Sequence, residues 1–226
     1  MESLWLSVKL AAWVAGILLV FGIPLAYWLA FSRWRWKFFV EAAVAVPLVL
    51  PPTVLGFYML VAMGPQGPLG SAWSKLFGRG LAFTFQGLII ASVLYSLPFA
   101  VQPLVVAFEG VDRKLLAASA VLGAGEWSTF RRVILPLSLR GVATSAILSF
   151  AHTLGEFGVV LMVGGNLAGI TRTVSIEIYD RVQSLDYTQA NRLALLLLAL
   201  SFAVLSFVYG MNRRVRRRVW IPWASR

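Results

Sequence analysis

The sequence predicts an all-α membrane protein with five transmembrane helices, or six at most. Three observations lead there: an extreme composition, five long apolar stretches, and an uneven placement of Lys and Arg. Of the 226 residues, 59% are hydrophobic and 13% charged, against roughly 45–50% and about 25% in soluble domains. The 15 Phe, 9 Trp and 6 Tyr carry more apolar surface than a soluble domain of this length can bury. An ordinary cytosolic enzyme, a disordered regulator and a collagen-like fibre are excluded. The lack of cysteine excludes a disulfide scaffold, thiolate metal sites and cysteine nucleophiles, and leaves the redox compartment open. The net charge of +11 would suit a nucleic-acid binder. In so apolar a chain, however, the placement of the charges matters more than their sum.

The apolar stretches run over Leu4–Phe31, Val40–Met63, Leu81–Phe108, Val142–Val163 and Leu193–Met211. Each is long enough to cross a hydrocarbon core about 30 Å thick. Only helices suit them, because lipid offers the backbone no hydrogen-bond partner and the short alternating segments of a barrel are missing. The first stretch follows Met1-Glu2-Ser3, with no basic n-region. It is also longer than a cleavable signal core of about 7–15 residues, so it reads as a retained helix, with Lys9 near its end able to snorkel.

Orientation follows from the basic residues. One side holds Arg33, Arg35 and Lys37, then Arg113, Lys114, Arg131, Arg132 and Arg140, then Arg213, Arg214, Arg216, Arg217, Arg218 and Arg226. These are 14 of the 20 Lys and Arg. The positive-inside bias places them in the cytoplasm, with the N-terminus outside and the C-terminus inside. Residues 1–212 then form one membrane domain, and 213–226 a basic tail facing anionic lipid rather than nucleic acid.

Two connections are longer than a hairpin needs. In the cytoplasmic one, Asp112 can cap a helix from Arg113 onward through Leu115, Leu116, Ala118, Ser119 and Leu122. Gly123 and Gly125 break it, and Glu126–Ile134 sets Trp127, Phe130 and Ile134 on one face. Pro136 stands where a following helix can start. Such an elbow is either an interfacial amphipathic segment or a docking surface for a cytoplasmic partner. The outer connection, Gly164–Asn191, has Val174, Ile178, Val182 and Leu185 at helical spacing. A helix there can gate, receive a partner or simply cap the bundle. Gly64-Pro65-Gln66-Gly67-Pro68 reads as a surface turn.

Polar residues inside a span face a partner helix or a water-filled path. In the fourth stretch Ser145, Ser149, His152 and Glu156 advance by four, three and four, a single helical face. Thr144 and Thr153 lie beside it, and Gly141 and Gly155 permit close backbone approach. This stripe either packs against neighbours or lines a route. His152 and Glu156 can pair or relay protons. With a single histidine and no cysteine, they are too few for a metal site. Pro47, Pro51 and Pro52 in the second stretch, and Pro98 and Pro103 in the third, permit kinks, static or moving. No nucleophile–base constellation and no phosphate-cradling loop is present, so any energy from a nucleotide has to come from another chain.

The cytoplasmic elbow resembles the importer-type permeases of ATP-binding-cassette (ABC) systems. Their pattern is Glu-Ala-Ala, three residues, Gly, nine residues, Ile, one residue, Leu-Pro. Here Ala118 and Ser119 stand at the two Ala positions, and three residues separate them from Gly123. Val133-Ile134-Leu135-Pro136 closes the pattern. Ala117 stands where the family often has Glu, so a contact through that carboxylate is absent. Leu154-Gly155-Glu156-Phe157-Gly158, Gly165-Asn166 and Thr171-Arg172-Thr173 are similar to permeases for tetrahedral oxyanions. These oxyanions are molybdate, tungstate and sulfate, and Pro47–Gly56 is similar to the second span of the molybdate branch.

The resemblance implies a type I ABC importer permease fold, with coupling helices at about 111–136 that dock on an ATPase. Ala118, Ser119, Gly123, Glu126, Trp127, Leu135 and Pro136 are the implied coupling residues. The implied route or gate consists of Ser145, Ser149, His152, Thr153, Gly155, Glu156 and Asn166. Also implied are a second copy of the chain, two cytoplasmic ATPase subunits that bind ATP and Mg, and an external oxyanion-binding protein. The chain itself, set in the inner membrane among lipid, would hold no cofactor, metal or nucleic acid and catalyse nothing. A sulfate or thiosulfate permease is the neighbouring alternative. A stand-alone proton-coupled carrier using His152 and Glu156 is the alternative from another class.

Overall fold

The computed structural model describes residues 2–216. The helices are α1 (Glu2–Phe31), α2 (Lys37–Val49), α3 (Pro52–Met63), α4 (Pro68–Phe77), α5 (Phe85–Glu109) and α6 (Arg113–Val121). There follow α7 (Glu126–Thr129), a π-helical turn (Phe130–Ile134), α8 (Leu135–Leu137), α9 (Leu139–Gly155), α10 (Gly158–Gly164), α11 (Val174–Gln183) and α12 (Tyr187–Arg216). Among these residues α1, α5 and α12 are each long and apolar enough to span a membrane. Counting two sharply bent helix pairs as spans brings the number to five.

The second and fourth stretches are corrected by the structure. The second is not one helix: α2 and α3 meet at 112°. Pro51 and Pro52 supply no backbone donors there, and Leu50 is extended. The fourth splits at Glu156–Phe157 into α9 and α10, and α9 leaves the preceding elbow through a 70° bend at Ser138. The expected surface turn is present, with the Gly67 amide donating to Gly64 O at 2.9 Å, and it leads into α4, a helix beyond the sequence reading, with Pro68 in its first turn and Gly78 closing it at φ +68°. The last helix continues to Arg216; Arg217, Arg218 and Arg226 lie outside the described residues.

α1 and α5 lie side by side, with α9 packed against both. Three apolar cores run through this bundle. At one end Ala26, Leu29, Val44, Leu104, Phe108, Phe130 and Ile134 pack together. At the other, Leu6, Leu10, Val14, Leu88, Val160 and Ile176 do so. A third core joins α3 to α10 through Leu55, Met59, Val159 and Val163. Outward-facing Trp5, Trp13 and Phe21 on α1 and Leu198, Phe202 and Phe207 on α12 are exposed. That is expected where the solvent is lipid. Trp34, Trp36, Phe38 and Phe39 crowd the α1–α2 turn, with Arg35 over the Trp36 ring at 4.8 Å. Such a cluster suits a membrane–water boundary.

The two long connections sit at opposite ends of α1. Near its start, the Ser3 hydroxyl bonds Glu177, and the Val174 amide donates to Ser7 Oγ at 2.8 Å. Near its end, Tyr27 meets the Phe130 ring edge-on at 5.1 Å. The outer helix follows its predicted stripe only in part. Val174 is buried, but Val182 and Leu185 are exposed and Ile176 is buried instead.

Candidate functional site

The elbow forms because its parts carry local instructions. Asp112 Oδ1 accepts the Lys114 amide at 2.8 Å and starts α6. Gly123 ends it with φ +74°, a left-handed conformation that other residues adopt at a cost. Ser119, the only buried residue of α6, bonds Thr129 hydroxyl to hydroxyl at 2.8 Å and ties the two arms together. The π turn has its own cause. Pro136 would press its ring on the carbonyl four residues back, and widening the preceding turn relieves that clash. The Leu135 amide accordingly bonds Phe130 O, five residues back.

The elbow is anchored on one side and bare on the other. Phe130 and Ile134 are sunk in the core with Phe108. Trp127 does not share their environment as the helical spacing suggested: it stacks on Phe130 at 5.6 Å but stays 72% exposed. At the tip Val121 and Leu122 are 88% and 85% exposed. Ala118, Gly123, Glu126 and Pro136 are exposed as well, and Leu135 is half-buried. An apolar groove of about 490 Å³ runs between the elbow (Trp127, Phe130) and the α1 residues Leu19, Ile23, Pro24 and Tyr27.

The polar stripe on α9 is mostly spent inside the chain. Ser145 Oγ donates to Ala100 O of α5 at 2.9 Å, and Ser149 Oγ donates to Ser145 O at 2.8 Å. His152 lies against Phe99, ring centroids 3.8 Å apart, with Tyr95 at 4.8 Å. Ser96 Oγ is 2.9 Å from both His152 Nδ1 and Thr153 Oγ1. Gly141 does allow close approach, since an added Cβ would stand 2.1 Å from Ala107 Cβ. Gly155 meets nothing within 4 Å, contrary to expectation.

Glu156 does not continue the stripe or pair with His152. It lies one residue past α9 in extended backbone, where its Oε1 accepts the Val159 amide at 2.7 Å and caps α10. Asn166 is farther away, on the loop after α10, bonded to Arg172. The expected route residues are therefore not one cluster. Sequence reasoning missed Tyr95, Ser96, Phe99 and Gln102 on α5. Gln102, an exposed amide within an apolar span, was the legible signal.

The two interrupted spans touch at their breaks. A Cβ on Gly158 would lie 2.6 Å from Pro52 Cβ, and one on Gly56 would lie 2.8 Å from Met162 Cβ. Pro47–Gly56 and Leu154–Gly158, a hundred residues apart in sequence, thus meet where neither backbone leaves room for a side chain.

With this geometry in view, residues 22–221 match the family described as "Binding-protein-dependent transport system inner membrane component". The chain belongs to that family. Among curated members of this permease family, the molybdenum transport system permease protein ModB of Azotobacter vinelandii is 51% identical over 94% of each chain. The ModB of Escherichia coli K12 is 35% identical, covering 96% of this chain and 95% of its own. In fold, the permease resembles a chain of the inward-facing MetNI methionine ABC transporter. Their TM-score is 0.73 at 19% identity, covering 94% of each chain.

Proposed function

We propose that this permease is the membrane subunit of an ATP-driven importer of molybdate and of the similarly shaped tungstate. The observation that carries the reading is the 51% identity, over nearly the whole chain, to a molybdenum transport permease. The elbow supports it. Val121 and Leu122 project apolar side chains that the chain itself leaves uncovered, as a docking knob for an ATPase would. Phe130 and Ile134 root that knob in the core shared by α1, α2 and α5, so a push on the tip is transmitted to the helices rather than absorbed by a loop. The functional unit is two copies of this chain, two ATPases and an external binding protein. A two-fold axis encloses a path that five helices alone cannot.

The chain hydrolyses nothing itself; ATP and Mg belong to the ATPases. The basic ends of α1, α5 and α9 face the cytoplasm, with the outer helix α11 on the opposite side. When the ATPases close, the paired elbows are drawn together and the path opens outward. Hydrolysis releases them, and the path opens inward by rigid-body motion. The meeting point of Pro52 with Gly158 is where such motion changes the path's width, because two interrupted helices touch there and an added Cβ on Gly158 would stand 2.6 Å from Pro52 Cβ.

The reading is tested in proteoliposomes holding the permease, its ATPase and its binding protein. Molybdate uptake is expected to require internal ATP and to persist when an uncoupler collapses the proton gradient. Uptake that stops with the uncoupler while ATP is constant would favour a lone proton-coupled carrier.

A further inference from the structure

The hydroxyls of Ser145, Ser149 and Thr153 on the implied route are engaged inside the chain. Ser145 and Ser149 donate to backbone carbonyls, and Thr153 is buried against Ser96. A second row of polar groups remains free. On α5, Tyr95 and Gln102 are seven residues apart, so they share one face and are about 10 Å apart along the axis. Phe99 lies between them and carries His152 of α9 stacked on its ring. Among the described residues, neither the Tyr95 hydroxyl, nor the Gln102 amide, nor His152 Nε2 has a hydrogen-bond partner.

Thr153 Oγ1, Ser96 Oγ and His152 Nδ1 form one chain of hydrogen bonds, with Thr153 and Ser96 buried. Of its two directions, the one that leaves no buried hydroxyl proton unpartnered among the described residues runs from Thr153 to Ser96 to His152 Nδ1. In that direction the neutral ring carries its own hydrogen on Nε2, the unpaired nitrogen. All three free groups can then donate, and all three are uncharged. No Lys or Arg lies in Phe85–Glu109, and Arg140, in the first turn of α9, is the only one in Leu139–Gly155 or Gly158–Gly164. The nearby carboxyl, Glu156, has Oε1 committed to the Val159 amide.

We infer that Tyr95, His152 and Gln102 form a ladder of neutral donors that contacts the oxyanion as it crosses. This inference rests on the importer reading and specifies how the path handles its cargo. An exposed amide facing lipid would go unsatisfied. A dianion seated on a fixed cation would bind too tightly to leave, whereas neutral donors replace part of its hydration without trapping it. The three groups can each turn a hydrogen toward an anion, and the apolar Phe99 between the polar rungs keeps each contact brief.

The chain has no cysteine, so single-cysteine variants need no altered background. In the reconstituted complex, Tyr95→Cys and Gln102→Cys are exposed to an anionic methanethiosulfonate, with Phe21→Cys on the outer face of α1 as lipid control. Labelling is read by mass on the isolated chain. Both are expected to react at least about tenfold faster than Phe21→Cys, because a thiol in water ionises and one in lipid does not. Added molybdate should slow them. Rates equal to the control would overturn the inference, placing this face in lipid or against the second copy.

Uptake gives an independent arm. Tyr95→Phe, Gln102→Leu and His152→Phe should each lower it roughly two- to tenfold, the range of one neutral hydrogen bond. His152→Gln, which restores a donor, should recover most of the loss. Full uptake by the three donor-free variants would also reject the ladder. If the unmodified complex fails to take up molybdate while the labelling pattern holds, the molybdate reading falls and the solvated face stands.

Discussion

Replacing Gly123 isolates the shape of the elbow from its chemistry. An added Cβ at this position meets nothing within 4 Å, so no clash enters the cost. What remains is the backbone, held at φ +74°, where an L-residue loses about 1–2 kcal/mol per position. If the ATPase accepts the elbow only in this shape, that cost falls wholly on docking. At 1.4 kcal/mol per factor of ten it becomes roughly five- to thirtyfold weaker binding. Gly123→Ala should lie at the lower end and Gly123→Val at the upper, because β-branching adds to the strain. Gly123→Asn, which tolerates left-handed backbone, should bind within about twofold of the parent. The assay titrates the ATPase subunit onto the permease in lipid nanodiscs, with thermal melts confirming that each variant is folded. Parent-like binding by Gly123→Val would refute the reasoning, as would equal losses in Val and Asn.

Other perturbations probe the packing. Gly141→Ala puts a Cβ 2.1 Å from Ala107 Cβ and should cost about 1–3 kcal/mol. Ala107→Gly on top of it should recover most of that loss, leaving about the 1 kcal/mol of a helical glycine; denaturation of the purified permease checks this. Glu156→Ala removes the Val159 cap and should cost about 0.5–2 kcal/mol, whereas Glu156→Gln keeps an acceptor and should retain uptake within about twofold. Loss of uptake in Gln with normal stability would point to proton transfer at Glu156 instead. Ser119→Ala should loosen the tie to Thr129 by about 0.5–1.5 kcal/mol, read as faster hydrogen exchange in α6 and α7 than in α5.

Local chemistry was readable in advance. Asp112 caps α6, Gly123 turns it, and Gly141 brings α9 against α5. Each depends on a residue's own conformational preference or on spacing along one helix. Angles and partners were not readable. Pro51 and Pro52 permit a bend but do not set it at 112°, because that angle depends on Gly56 and Gly158 letting α3 and α10 touch. Glu156 fitted a helical period that the chain abandons one residue earlier, and its carboxyl caps the start of α10 instead. Trp127 keeps its helical spacing to Phe130 and stacks on it, but it stands in the first turn of α7, outside the core that Phe130 and Ile134 enter. α4 did have start and stop signals in Pro68 and Gly78; ten residues are too short to span, and the Gly-Pro run before them reads as an ordinary turn. The donor ladder joins α5 to α9, and only folding brings those residues together.

A photo-crosslinker at Leu122, the exposed apolar tip, offers the sharpest check on how work reaches this permease. In membranes containing the assembled transporter it should yield an adduct with the ATPase subunit, and the yield should change when ATP replaces ADP. Adducts with lipid alone in both nucleotide states would contradict the transmission of ATPase work through the elbow.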